Sequence, residues 1–200
     1  MKKNKGFSKS RVRMTGVSLI EVAVSVLILS IGALGLAGVQ ISAKRAGHEA
    51  LQRTVAASLA TELIERMRAN PSVLDDYDTS ATEGVGLAMR KLPAKPGNEC
   101  STKVSACTST GLAVWDLWEW ERALNGGTAI RAGVAAGGLI NPVGCVTVVG
   151  RQVTVVIAWR GSNNLTDPNA GSGCGSGKYE ISPLDANRQL LQITSYISEV

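Results

Sequence analysis

A single histidine, His48, stands in 200 residues, and aromatics make up only 4% of the chain. One imidazole cannot form a two-histidine metal site, and its position near the N-terminal third gives the rest of the chain no histidine for a nucleophilic relay. The four cysteines, Cys100, Cys107, Cys145 and Cys174, include no Cys-x-x-Cys pair, which removes the usual zinc spacing. Phosphate loops, zinc-protease helices, G-x-S-x-G elbows and G-x-G-x-x-G fingerprints are all missing. The acidic runs Asp75-Asp76-Tyr77-Asp78 and Asp167-Pro168-Asn169 lack the glycine and distal glutamate of a calcium loop and read as solvated loops. The expectation is a protein that is not an enzyme, with no catalytic residue, no cofactor and no metal. Disorder is excluded too, because hydrophobics reach 44% and charged residues only 18%.

Acidic residues are absent from positions 1–16, where Lys2, Lys3, Lys5, Lys9, Arg11 and Arg13 collect. The formal net charge of +5 is therefore a local feature, since the remainder carries 15 Lys and Arg against 16 Asp and Glu. A nucleic-acid binder spreads its cations over a folded face and interleaves aromatics. Here the excess sits directly before an apolar run, so it reads as a targeting signal and no nucleic-acid partner is expected.

That run, residues 17–39, holds one charge, Glu21, and no proline. At the helical rise it spans about 34 Å, enough to cross a hydrocarbon core of about 30 Å. Basic residues before the span, with only Lys44 and Arg45 soon after it, put the N-terminus in the cytoplasm and the C-terminal portion outside. A removable secretory signal is the competing reading, but the apolar stretch is longer than an ordinary signal core and only Ile41-Ser42-Ala43 offers a cleavage site. Glu21 fits neither a plain signal nor a plain anchor, because a carboxylate at the centre of a span is unfavourable by roughly 2.5 to 3.5 kcal/mol.

Gly16-Val17-Ser18-Leu19-Ile20-Glu21, with a basic leader before it and an apolar helix after it, resembles the type IV prepilin motif. The resemblance implies cleavage by a prepilin peptidase between Gly16 and Val17, N-methylation of Val17, and an assembly role for Glu21 at mature position five. Family members usually carry Phe or Met where this chain has Val17. Physics gives Glu21 a role independently of the name. If identical helices stack with an axial offset of about one turn, the free ammonium of one Val17 approaches a neighbour's Glu21 and each charge relieves the other's burial. The alternative is a carboxylate that snorkels to the cytoplasmic interface.

Residues 40–69 place Leu51, Val55, Leu59, Leu63 and Met67 four apart, with Ala56, Ala60 and Ile64 widening the stripe, and Asn70-Pro71 ends the pattern. The expected helix runs from about Ser18 to Ala69, its first half in lipid and its second against a sheet. Gly32, Gly35, Gly38 and Gly47 either give it places to bend or allow close packing in the bilayer. Residues 71–110 read as loop-rich. Val114 to Leu124 reads as a short helix bearing Trp115, Trp118 and Trp120, closed by Asn125-Gly126-Gly127 and packing into a core in preference to forming a sugar platform. Cys145 to Val149 and Gln152 to Arg160 form a hairpin, and Arg188 to Ile197 a third strand. Gly161 to Pro183 reads as a long flexible loop. The fold class is α+β: a long N-terminal helix on a small antiparallel sheet.

An even cysteine count in an exported domain predicts disulfides. Of the possible pairings, Cys100 with Cys107 and Cys145 with Cys174 is preferred, because the second would pin the glycine-rich loop to the sheet. The expected organisation is a leader at 1–16, a transmembrane helix at 17–39, an amphipathic stem at 40–70 and an exported domain at 71–200.

The order of Trp-rich helix, glycine-rich stretch, strand closing on Ala158-Trp159-Arg160-Gly161 and last strand is similar to minor pilins of the PilV type. That resemblance implies an inner-membrane protein, single-pass before assembly and in the pilus afterwards, that acts with other minor pilins at the assembly platform to start filament growth. A type II secretion pseudopilin shares the same leader logic, and a membrane-anchored adhesin using the tryptophans or the long loop is the alternative from another class.

Overall fold

The computed structural model describes residues 16, 18–80, 94–97, 99–100, 107–127, 130–131, 134–135, 137–161, 172–179 and 187–198. It divides into two compact units, Met1–Lys44 and Arg45–Val200. Helix α1, Leu19–Ala69, is 51 residues long and passes through Gly32, Gly35, Gly38 and Gly47 without a break. A 3-10 helix, Pro71–Tyr77, follows, then α2, Ser109–Leu124. Two short strands, β1 (Ile130–Arg131) and β2 (Val134–Ala135), pair antiparallel. Strands β3 (Val143–Val149), β4 (Gln152–Arg160) and β5 (Arg188–Tyr196) form an antiparallel sheet in the order β3-β4-β5.

The long helix, the hairpin and the third strand correspond to the expected α+β elements, with differences that have local causes. Helix α2 begins at Ser109, five residues before the expected Val114, because Thr108 caps it: its Oγ1 accepts from the Gly111 amide at 3.1 Å. Its end is as the sequence reads, with Gly126 in the left-handed region (φ 76°). Strand β3 starts two residues early, at Val143, since Gly144 pairs with Ile157. The glycine fits there because Trp120 lies on it; a Cβ would overlap the indole ring and the Leu124 methyl. The stretch after residue 70 is not all loop, because Pro71–Tyr77 forms the 3-10 helix and sends Tyr77 into the core.

One expected core position is wrong. Leu51 is 59% exposed, while the buried α1 positions are Gln52, Ala56, Leu59, Ala60, Leu63, Ile64 and Met67. A strict four-residue row drifts about 40° per step around a 3.6-residue helix, which carries Leu51 off the buried face. That face meets Val153, Val155, Ile157 and Trp159 of β4 and Val146 of β3 in the main core. The alternate residues Val143, Val156, Ala158 and Leu190 form a second, smaller cluster with Cys174 and Tyr179. The described part of the glycine-rich segment, residues 172–179, therefore covers part of the opposite sheet face: the sequence reads it as a flexible loop pinned by one disulfide, whereas Cys174 and Tyr179 are buried there. The remainder of that segment, 162–171 and 180–183, lies outside the described residues.

Candidate assembly site and stem interface

The described residues of the first unit are all exposed. Leu19, Leu29 and Leu34 are 89%, 72% and 75% exposed. An 18-residue window of α1 has a mean hydropathy of 2.4 with none of it buried, which fits a membrane anchor. Two of its hydroxyls are satisfied within the helix: Ser25 Oγ donates to the Glu21 carbonyl and Ser30 Oγ to the Val26 carbonyl, each at 2.7 Å. Glu21 and Val22 donate their amides to the Ser18 carbonyl at 3.0 and 3.2 Å, so the helix begins directly after Ser18 and Glu21 lies in its first turn. A carboxylate there complements the helix dipole. No cation pairs with that carboxylate among the described residues. Gly16 and Ser18 are exposed, and Val17, the expected mature N-terminus, lies outside the described residues.

In the second unit the stem half of α1 is fastened by a polar node inside an apolar contact. Arg66 donates to Glu62 at 2.8 Å, to Asp116 at 3.0 Å and to Glu119. The second Asp116 oxygen accepts from the Tyr77 hydroxyl at 2.7 Å. Tyr77 in turn accepts from Asn70 Nδ2 at 3.2 Å, and that amide also donates to the Ser109 carbonyl at 2.8 Å. Helix α1, the 3-10 turn and α2 are thus joined by one network around a buried carboxylate. Burial disfavours the charged Arg66, but hydrogen bonds to Glu119, Glu62 and Asp116 outweigh it and raise its pKa. Burial, then the bond to Asp116, pushes the Tyr77 hydroxyl up. Asp78 moves down: burial opposes its charge, and donors from Ser80 and the Val148 amide overcome that.

The tryptophans of α2 divide their duties. Trp120 is 1% exposed and donates Nε1 to the Leu59 carbonyl at 2.9 Å, a direct tie to α1. Trp115 is buried as well, with Trp118 at 4.8 Å between ring centroids and the Lys95 ammonium 5.5 Å from its own ring. Disulfides join Cys100 to Cys107 and Cys145 to Cys174. The sequence reads Asn70 only as a helix stop and Tyr77 only as part of a solvated acidic run, whereas both are buried, and it gives Arg66 and Asp116 no role. The available signal was Asp116 itself, an acidic residue between tryptophans on an otherwise apolar helix face.

A long N-terminal helix on a three-stranded antiparallel sheet, with an apolar, outward-facing first half, is the α+β architecture of a pilin. Residues 38–118 match the family described as Tt1218-like, type IV pilin Tt1218, and that match supports a type IV pilin. No curated protein and no solved structure matches the chain. A pilin family points to a structural protein that associates with pilus components.

Proposed function

We propose that this chain is a minor pilin of a type IV pilus, acting with other minor pilins at the assembly platform to initiate filament growth. In this reading residues 1–16 are the leader, prepilin peptidase cuts between Gly16 and Val17, and Val17 is N-methylated. Residues 17–39 hold the precursor in the inner membrane with the N-terminus cytoplasmic, residues 40–70 are the stem, and residues 71–200 are periplasmic until assembly. The observation that carries the proposal is Glu21, the one charge in an outward-facing apolar helix half and without a cation of its own among the described residues. A carboxylate so placed is stabilised in lipid by a cation from elsewhere, and the free amine created at Val17 one turn away on a neighbouring helix has the right charge and reach. The match to a type IV pilin family favours the pilus over the secretion machine.

The test joins processing to assembly. Intact mass of membrane-extracted protein should give a chain beginning at Val17; a start near Lys44 would mean an ordinary secretory signal. Glu21→Ala should enter the membrane at least as well as wild type, since it removes a charge from lipid, yet be absent from sheared filaments and fail to restore piliation to a strain lacking this chain. Normal piliation with normal incorporation would remove the assembly role.

A further inference from the structure

We infer that the sheet face opposite α1 carries a preformed binding groove for a neutral, hydroxyl-rich ligand of the oligosaccharide class. The groove encloses about 780 Å³ between the Thr79-Ser80 segment and the turn at residues 172–178, within the range of roughly 300 to 1,000 Å³ typical of ligand sites. Thr147 and Thr154, paired on one rung of the sheet, lie along its floor, and Gln192 flanks them on the next rung. The Thr154 hydroxyl lies 3.2 Å from that of Thr194, its partner on β5, a bond that orients it, and the Thr147 and Thr154 hydroxyls can each donate or accept.

The far wall is held in place. Cys174 is bonded to Cys145 on the floor, and Arg188, 3% exposed, donates to the carbonyls of Cys174 at 2.8 Å and Ser172 at 3.2 Å. Tyr179 closes the turn with a bond to the Asn141 carbonyl at 2.8 Å. A wall fixed in this way loses little conformational freedom when a ligand enters.

Chemistry narrows the occupant. Among the described residues the lining holds no carboxylate, so a divalent cation finds no anionic ligand there, and Lys178 is the one charged side chain, too little for a polyanion. Threonine and serine hydroxyls and the Gln192 amide among the lining residues do not suit an acyl chain. An extended peptide would add to a free strand edge, but the β3 edge is engaged here: Val146 exchanges bonds with Thr79 at 2.8 and 2.9 Å, and the Val148 amide donates to Asp78 at 2.9 Å. Hydroxyls, an amide and glycine backbone suit a sugar's hydroxyls.

The test uses the full chain, isotope-labelled and solubilised in lauryldimethylamine oxide so that no sugar comes from the detergent, titrated with maltotetraose, cellotetraose and N-acetylchitotetraose. At least one should give saturable amide shifts confined to Gly173, Gly175, Gly177 and the Gln192 side chain at concentrations up to about 10 mM, an affinity of about 3 kcal/mol. Thr147→Val and Gln192→Leu, made singly at exposed strand positions and checked for an unchanged melting temperature, should each weaken binding by about tenfold, the loss of one hydrogen bond. Trp118→Ala should not alter it. No saturable shift with any of these sugars, shifts that follow Trp118, or equal binding of a neutral Ser/Thr-rich peptide would overturn the inference.

Discussion

Asp116 is where a single side chain has the most to decide, because it is a buried carboxylate whose two oxygens take bonds from different elements, Arg66 on α1 and Tyr77 after it. Removing a donor from a buried acceptor is more damaging than the modest net value of the bond, since the acceptor is left desolvated. Tyr77→Phe should therefore destabilise by about 1 to 3 kcal/mol, read as a lower midpoint in chemical denaturation. It should also change the alkaline limb. Tyr77 is raised above its ordinary 10.0 in the folded chain, so the native state holds a proton that the unfolded state gives up. Its stabilisation is complete below pH 10.0 and falls as pH rises toward the folded value. Denaturation at pH 8 and at about pH 11 should show a smaller loss for Tyr77→Phe than for wild type. An equal loss in both would mean that the alkaline limb comes from other groups.

Elements were legible where their period and their stop signals agreed. The α1 end at Ala69 was readable from Asn70-Pro71, and β4 from its alternation of Val153, Val155, Ile157 and Trp159. The start of α2 was not, because Thr108-Ser109-Thr110-Gly111 has poor helix propensity and the cap that nucleates it acts through one hydroxyl. The 3-10 turn is hidden as well: its sequence carries no repeat, and Pro71, which suits its first position, reads equally as the stop of α1, so the tertiary bonds of Tyr77 and Asp78 are what set it apart from a loop. At the candidate assembly site, the isolation of Glu21 was readable from composition alone, whereas the Arg66 node needed residues 50 positions apart to meet. Strand β4 is buried on both faces, yet one cover is a glycine-rich turn with little apolar surface of its own. The bridge between Cys145 and Cys174, 29 residues apart, should supply what that turn lacks. The double variant Cys145→Ser/Cys174→Ser should lose about 3 kcal/mol, chiefly by freeing the unfolded chain. Hydrogen exchange should localise the change to 172–179, the β3 start and the Arg188 end of β5. Uniformly faster exchange across α2 would contradict this placement.

Over the whole molecule, α1 belongs to both units, and its two halves do different work. Every buried α1 residue lies between Gln52 and Met67, and every described residue before His48 is exposed. The apolar half therefore contributes nothing to the interior of the second unit, while Ala56, Leu59, Ala60, Leu63, Ile64 and Met67 form one wall of its core. Two truncations separate these roles. A chain starting at Arg45, exported behind a cleavable signal so that its cysteines oxidise, keeps that wall, the Arg66 node and the Trp120 bond to Leu59. It should be soluble, carry no free thiol, and melt cooperatively within a few degrees of the detergent-extracted protein, since few-degree shifts correspond to about 1 kcal/mol or less. A chain starting at Asn70 loses six apolar core side chains, each contributing on the order of 1 to 3 kcal/mol on burial, against a total stability of about 5 to 15 kcal/mol. It should not fold, giving no near-ultraviolet dichroism and rapid proteolysis. A cooperative melt from that shorter chain would show that the sheet and α2 hold their own core, and would reduce the stem half of α1 to a tether.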